Sequence, residues 1–305
     1  MKKFHKEIYR LRMRYSDKVF DAVNVTLICL LVLIFAWPLW FVLISAFSDP
    51  SQVYAGKVLL WPKGFTTEAF QNILEYKAIW TGYRNTIFYT LVGTVVNVVI
   101  TICAAYPLSR NDFAGRKVIL YMLLFTMYFS GGLVPTYMIV KSLHLIDSPW
   151  AMIIPGACSV YNVLITRTYF KNSIPESLFE AARLDGANSF QYLIKIALPL
   201  SKPIIAVIGL YYGVGHWNDY YTALIYLRDM ELLPLQSALR DILLTTQLLA
   251  DDLNIALDVN TVSRMKLAQT MRYSSIIVSM IPVLAIYPFI QKHFVKGVMI
   301  GSIKE

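Results

Sequence analysis

The sequence predicts an all-α, polytopic membrane protein, and three observations carry that expectation. Of 305 residues, 57% are hydrophobic and only 15% are charged; with a mean hydropathy of +0.53, the chain lies outside the range of soluble domains. Charge-free runs of bilayer-spanning length recur along it. A polar stretch with its own cap and turn signals separates two of these runs. Backbone groups in lipid must be satisfied within the protein, so the apolar runs are predicted as helices.

Taken in order, residues 1–24 form a basic N-terminal segment of mixed charge. A full-length apolar run follows without a small-residue cleavage pattern, so the first span is expected to be retained. Six spans are expected, each needing about 20 apolar residues. No charge occurs from Ala22 to Ser48, Asn85 to Ser109, Val118 to Val140, Ser148 to Thr166 or Tyr273 to Gln291. The fifth span, Pro203–Asn218, is short unless it continues past Asp219 toward Leu227. Pro38, Pro135, Pro155 and Pro282 fall within spans, where each removes a backbone donor and favours a kink. The expected division is 1–24, a membrane domain 25–293, and a tail 294–305.

Basic residues set the orientation. With the N-terminus in the cytoplasm, inside segments hold seven Lys/Arg in 1–24, three in 110–117, five in 167–202 and three in 292–305, or 18 of the 28. Both termini and the polar stretch at 169–202 are thereby placed inside. The long outside loops, 48–84 and 228–272, are expected to carry short helices. Cys29, Cys103 and Cys158 all lie in apolar runs, which suits packing rather than a disulfide framework. His5, His144, His216 and His293 have no metal-ligand spacing.

The polar insert at 175–199 is predicted as two short helices. Pro175 suits a first helical position, with Ser173 as cap and Leu178 and Ala182 on one face. Asp185-Gly186 ends this helix. Asn188 or Ser189 caps the second, which ends near Leu198-Pro199. Leu178, Phe179, Leu184 and Phe190 exceed what an isolated loop can bury. They pack on this chain's own helices, lie in the lipid interface, or fill a partner's groove.

Glu180-Ala181-Ala182, Gly186, Ile196 and Leu198-Pro199 meet every spacing of the EAA motif of ABC-importer permeases. With the six-span layout, Trp217-Asn218-Asp219-Tyr220 and the ending Phe294-Val295-Lys296-Gly297-Val298-Met299-Ile300-Gly301, the chain resembles MalG-type permeases of the carbohydrate-uptake class. The segment from Phe129 to Tyr137 looks like that of a subset taking up complex oligosaccharides, alginate-type importers included. The resemblance covers nearly the whole chain. It implies the ABC type I importer permease fold in a bacterial cytoplasmic membrane. It also implies a second homologous permease, two ATP-binding-cassette ATPases below, an extracellular solute-binding protein and a sugar substrate. Glu180, Ala181, Ala182, Asp185 and Gly186 would form the coupling segment. The C-terminal tail would reach between the ATPases.

No Gly-x-x-x-x-Gly-Lys-Ser/Thr phosphate loop occurs. ATP and Mg are therefore expected on partner subunits, with no cofactor in this chain. No convincing nucleophile–base set points to an enzyme; His216 and Asp219, three apart on a helix, are the only suggestive pair. The basic balance fits membrane orientation, with lipid and not nucleic acid as the partner.

A sugar path calls for aromatic faces and polar side chains. The fifth span supplies Tyr211, Tyr212, His216, Trp217, Asn218, Asp219, Tyr220 and Tyr221, with Tyr212, His216 and Asp219 on one helical face. Two readings stand for this stretch: pathway lining, or an aromatic belt at the outer interface with Asp219 already in water. Tyr128, Ser130, Gly131, Gly132, Thr136 and Tyr137 in the third span and Tyr161 and Asn162 in the fourth are further candidates. Gly131-Gly132 serves either the path or close helix packing. An ion-coupled secondary sugar transporter is the alternative function. It needs midplane ion ligands, and five of the six spans carry no Asp or Glu.

Overall fold

The computed structural model describes residues 15–251, 270–285 and 288, and every regular element among them is helical. The chain divides into two units. One comprises residues up to 71 with 252–277, the other 72–251 with 278 onward.

In the first unit, α1 (Tyr15–Ala46) is long and nearly uniformly apolar, with Pro38 inside it. Phe35 and Leu33 are about two-thirds exposed, as expected of a helix whose solvent is lipid. Its last turn turns polar and packs. Ile44 joins Val53 of α2 (Pro50–Tyr54) and Val58 in a small core. Asp49 caps α2, its carboxylate accepting from Ser51 N at 2.8 Å. Trp40 donates to Leu60 O at 2.9 Å and meets Trp61 edge-on. The start of α13 (Thr270–Ala285) packs here, with Tyr273 edge-on to Phe41.

The second unit is organised around α4 (Lys77–Ser109). Its 33 residues extend about 50 Å at 1.5 Å per residue. It packs against α10 (Lys202–Trp217), α7 (Val160–Ser173) and α12 (Leu235–Asp251). The main core lies between α4, α7, α10 and the insert, where Ile102, Val163, Phe170, Ile204 and Ile208 are buried together. At the other end of α4, Asn85 Nδ2 donates to Glu231 O (2.7 Å) and Leu233 O (3.0 Å). Tyr89 OH donates to Leu232 O, and Thr86 Oγ1 accepts from Leu235 N. This loop leads into α12, so the expected short helices in the long loops are present.

The expected six continuous spans are not what the described residues contain. Two helices are long and apolar enough to cross a membrane, Lys18–Ala46 and Lys77–Ser109; there are up to four if each of two bent pairs counts as one span. The third expected span is broken into α5 (Arg116–Tyr128) and α6 (Leu133–Ser142), which bend by 115°. Gly132, at φ +88° and ψ 178°, makes the break; residues with a Cβ essentially never adopt that backbone. The fourth is interrupted as well. A short 3₁₀ turn at Pro149–Met152 gives way to irregular chain through Pro155-Gly156, and Ser159 then caps α7. Proline removes an N–H and disfavours helix at the residue before it. The fifth span is helical as expected and bends by 82° from the insert's second helix. Of the sixth, α13 is apolar to Ala285; of the rest of the expected run only Pro288 is described, and residues 1–14 and the tail 294–305 lie outside the described residues. The three cysteines are exposed on this chain, so they do not serve its internal packing.

Candidate functional site

The polar face of α4 is the starting point. Thr86, Thr90, Thr94, Asn97 and Thr101 recur at helical spacing and look toward α10 and the loop before α12. Thr101 Oγ1 and Tyr212 OH share a 2.7 Å hydrogen bond, and Ser159 N donates to the same Tyr212 oxygen at 3.1 Å. Asn97 Nδ2 lies 3.1 Å from His216 Nε2 and 3.5 Å from Gly156 O. With the amide nitrogen as donor to both, His216 Nε2 is the acceptor and its ring proton sits on Nδ1. Asn97 is only 1% exposed, yet its Oδ1 has no partner, and neither have Thr90 Oγ1 and Thr94 Oγ1. Gly93 lets the His216 ring lie directly on α4; a Cβ there would stand 2.5 Å from Nε2.

These groups open onto a cavity of about 560 Å³. Tyr211, Tyr212 and His216 of α10 form one wall and Asn97 another. Ser130, Gly132 and Thr136 enter from the break between α5 and α6. Tyr221, Thr222 and Tyr226 of α11 (Tyr221–Tyr226) complete it, with Asp219 at its head. Asp219 Oδ1 accepts from Thr222 N at 3.0 Å and so caps α11. It does not pair with His216 as the spacing allowed. The lining is aromatic and hydroxyl-rich, and contains no Lys or Arg.

The sequence candidates divide clearly. Tyr212 and His216 of α10 line the cavity; Asp219 lines it too, but from beyond the end of α10 at Trp217 and not from the one helical face expected to carry all three. Tyr137 stands behind the wall, its ring stacked on Tyr226 at 6.1 Å and 10°. Trp217 is buried against Tyr83, with ring centroids 6.3 Å apart. Asn218 is turned back onto Val214 O (2.9 Å). Tyr220 and Tyr161 are exposed, and Asn162 is buried beneath the cap of α7; none of these lines the cavity. Tyr211 and Tyr221, named with the fifth-span cluster, line the cavity; Asn97, Thr101 and Tyr226 were missed. The period of polar residues along the second span was the available signal for the first two.

Outside the cavity, Asp147 forms a clasp. Its Oδ1 accepts from the backbone N–H groups of Arg228 and Asp229, each at 2.8 Å. These bonds, Asp229's first and then Arg228's, hold the carboxyl below its ordinary pKa.

At the other end of α4 lies the two-helix segment. α8 (Glu176–Leu184) begins after Pro175, which occupies the cap position without a side-chain bond. Ser173 instead closes α7. Asp185 ends α8, and Gly186, at φ +81°, turns the chain as expected. Asn188 and Gln191 form a reciprocal capping box for α9 (Ser189–Leu200), which contains a π turn at Leu193–Ala197. Phe179 and Ala182 point inward and are buried. Phe179 packs edge-on against Tyr192 at 5.1 Å. Leu178, expected on the same face as Ala182, is outside with Leu184 (90% exposed) and Phe190 (71%). Glu180, Ala181, Asp185 and Gly186 are exposed beside them.

An all-α membrane fold with an open cavity lined by tyrosines and hydroxyls and an exposed apolar knob defines a polytopic permease. The chain belongs to the family of binding-protein-dependent transport system inner membrane components, whose model matches residues 10–300; it is a permease subunit rather than a catalyst. It is 38% identical to the polygalacturonan/rhamnogalacturonan transport system permease protein YtcP of Bacillus subtilis (strain 168), over 95% of this chain and 99% of the relative. Protein LplC of the same organism is 35% identical over 98% and 99%. A crystal structure of a bacterial ABC transporter involved in import of the acidic polysaccharide alginate contains a chain similar to this one. It matches with a TM-score of 0.82 and 33% identity, covering 92% of this chain and 98% of that one.

Proposed function

We propose that this chain is one of two homologous transmembrane subunits of an ATP-driven carbohydrate importer, moving an oligosaccharide or polysaccharide fragment from an extracellular binding protein into the cytoplasm. The cavity carries this reading. Its tyrosines offer ring faces, and its Asn, Ser, Thr and His groups suit hydroxyls. Asn97, buried in the wall, holds its amide on the His216 ring and fixes that ring at the cavity's edge. The names of the polygalacturonan/rhamnogalacturonan and alginate relatives agree in ligand class. Tyr212, His216 and Asp219 contribute directly to the path, with Tyr137 supporting it. Trp217, Asn218 and Asn162 are engaged by the helices around it, and Tyr220 and Tyr161 stand exposed outside it.

In this reading the chain crosses a bacterial cytoplasmic membrane six times, with both termini inside. The broken third and fourth segments count as spans because their interruptions lie within the protein or beside the cavity, where irregular backbone is tolerated. The membrane domain extends over 25–293, flanked by cytoplasmic segments 1–24 and 294–305. The insert at 175–199 docks on one of two ATPase subunits, which hold ATP and Mg. Glu180, Ala181, Ala182, Asp185 and Gly186 frame its contact surface, and Leu184 and Phe190 are its apolar anchors. Leu184→Asp with Phe190→Asp should leave this chain in the membrane and strip the ATPase from the purified complex. A complex that keeps its ATPase and imports at the native rate would refute the docking surface.

A further inference from the structure

Arg110 stands directly after the last turn of α4, and its side chain is only 16% exposed. Its guanidinium carbon lies 3.5 Å from the centroid of the Phe179 ring. Nε pairs with Asp112 Oδ1 at 3.3 Å, and one terminal nitrogen lies 3.9 Å from Glu176 Oε1. Asn111 Nδ2 donates to Glu176 Oε2 at 2.9 Å. Arg116 donates to Arg110 O at 2.9 Å and also to Asn111 Oδ1. Phe179 is thus held between a guanidinium on one side and Tyr192 on the other. The grip on α8 comes from the end of α4, a different part of the chain. Thirteen residues earlier, about 20 Å along the same helix, α4 presents Asn97 to His216 in the cavity.

We infer that Arg110 is a positioning residue for coupling. It fixes the insert to α4, so that displacement of the insert by the ATPase moves the helix that walls the cavity. This rests on the docking surface proposed above. A flat guanidinium can stack on a ring while its edge nitrogens pair with carboxylates; an ammonium cannot do both. Lysine should therefore restore the function only in part.

The test uses the whole complex, with partner permease and ATPases, in a background where Cys29, Cys103 and Cys158 are serine and Thr136→Cys reports from the cavity. An impermeant maleimide is applied without nucleotide and after trapping with ATP and vanadate. In the parent complex, trapping should change the labelling rate several-fold. Arg110→Ala should lose most of that change while the ATPase still copurifies, and Arg110→Lys should keep part of it. Phe179→Leu, which fills the same space without a ring, should behave like Arg110→Ala and guards against a misfolded alanine variant. Full retention of the change in both Arg110→Ala and Phe179→Leu overturns the inference. So does loss of the ATPase from these variants, since Arg110 would then only shape the docking surface. A parent that shows no change also overturns it, because no motion then reaches the cavity. Failure of the docking surface itself has a different signature: the ATPase remains bound to Leu184→Asp with Phe190→Asp.

Discussion

Replacing Gly93 with alanine puts opposing effects on one atom. Alanine favours the helix by about 1 kcal/mol over glycine. Against that, the new Cβ would stand 2.5, 2.7 and 2.9 Å from three atoms of the His216 ring, so the ring must retreat by about 0.9 Å to reach the 3.4 Å of ordinary contact. A displacement of that size disrupts the 3.1 Å bond to Asn97. The wedge costs about 1–3 kcal/mol, and the buried amide left unpaired costs about 1–3 kcal/mol more. The clash wins, and Gly93→Ala should be destabilising by at least about 1 kcal/mol. In a His216→Ala background the obstacle is gone and only the helix preference remains, so the same substitution should become neutral or stabilising. Thermal unfolding of the purified complex across this double-mutant cycle reads the reversal, and sugar uptake in the same variants reads the cavity. Equal effects of Gly93→Ala in both backgrounds would refute the packing of His216 on α4.

Gly186→Val forces a β-branched residue to a left-handed backbone, a strain of about 1–2 kcal/mol; ATPase retention should fall in the order Gly, Asn, Val, as copurification will show. Asn85→Ala removes the donor for Glu231 O and Leu233 O, a loss of about 1–3 kcal/mol, and should speed protease nicking of residues 229–234. Asp147 has a lowered folded pKa. Its contribution is complete above the ordinary carboxylate pKa of about 3.9 and is lost as pH falls through the lower folded value. Loop protection from protease should therefore weaken with acid in the native chain, and Asp147→Asn should flatten that dependence.

The features that were legible in sequence share a short range. The helical character of α1 and α4 follows from hydropathy alone, and the Gly186 turn and the Asn188 cap follow from local backbone chemistry. Tyr212 and His216 were found because one helix carries both, and Asp219 because it follows directly after that helix ends. What was not legible depends on contacts between distant segments. Phe179 looked like a docking residue until Arg110 and Tyr192 covered it. Asn97 shows in the sequence only as one of a period of polar residues along the second span; the arrival of His216, 119 positions later, makes it part of the site. The interruptions at Gly132 and Pro155-Gly156 were visible as residues. Their size was not, because apolar character on both sides of a break reads as one span.

The most direct test of the proposed function uses proteoliposomes holding this chain with its partner permease and ATPases, supplied with the solute-binding protein and labelled oligogalacturonides or alginate oligosaccharides. Uptake should require ATP inside the ATPase-facing compartment and the binding protein on the opposite side, and should persist when ion gradients are collapsed. Uptake of the same sugars driven by an ion gradient, without ATP or binding protein, would contradict the account.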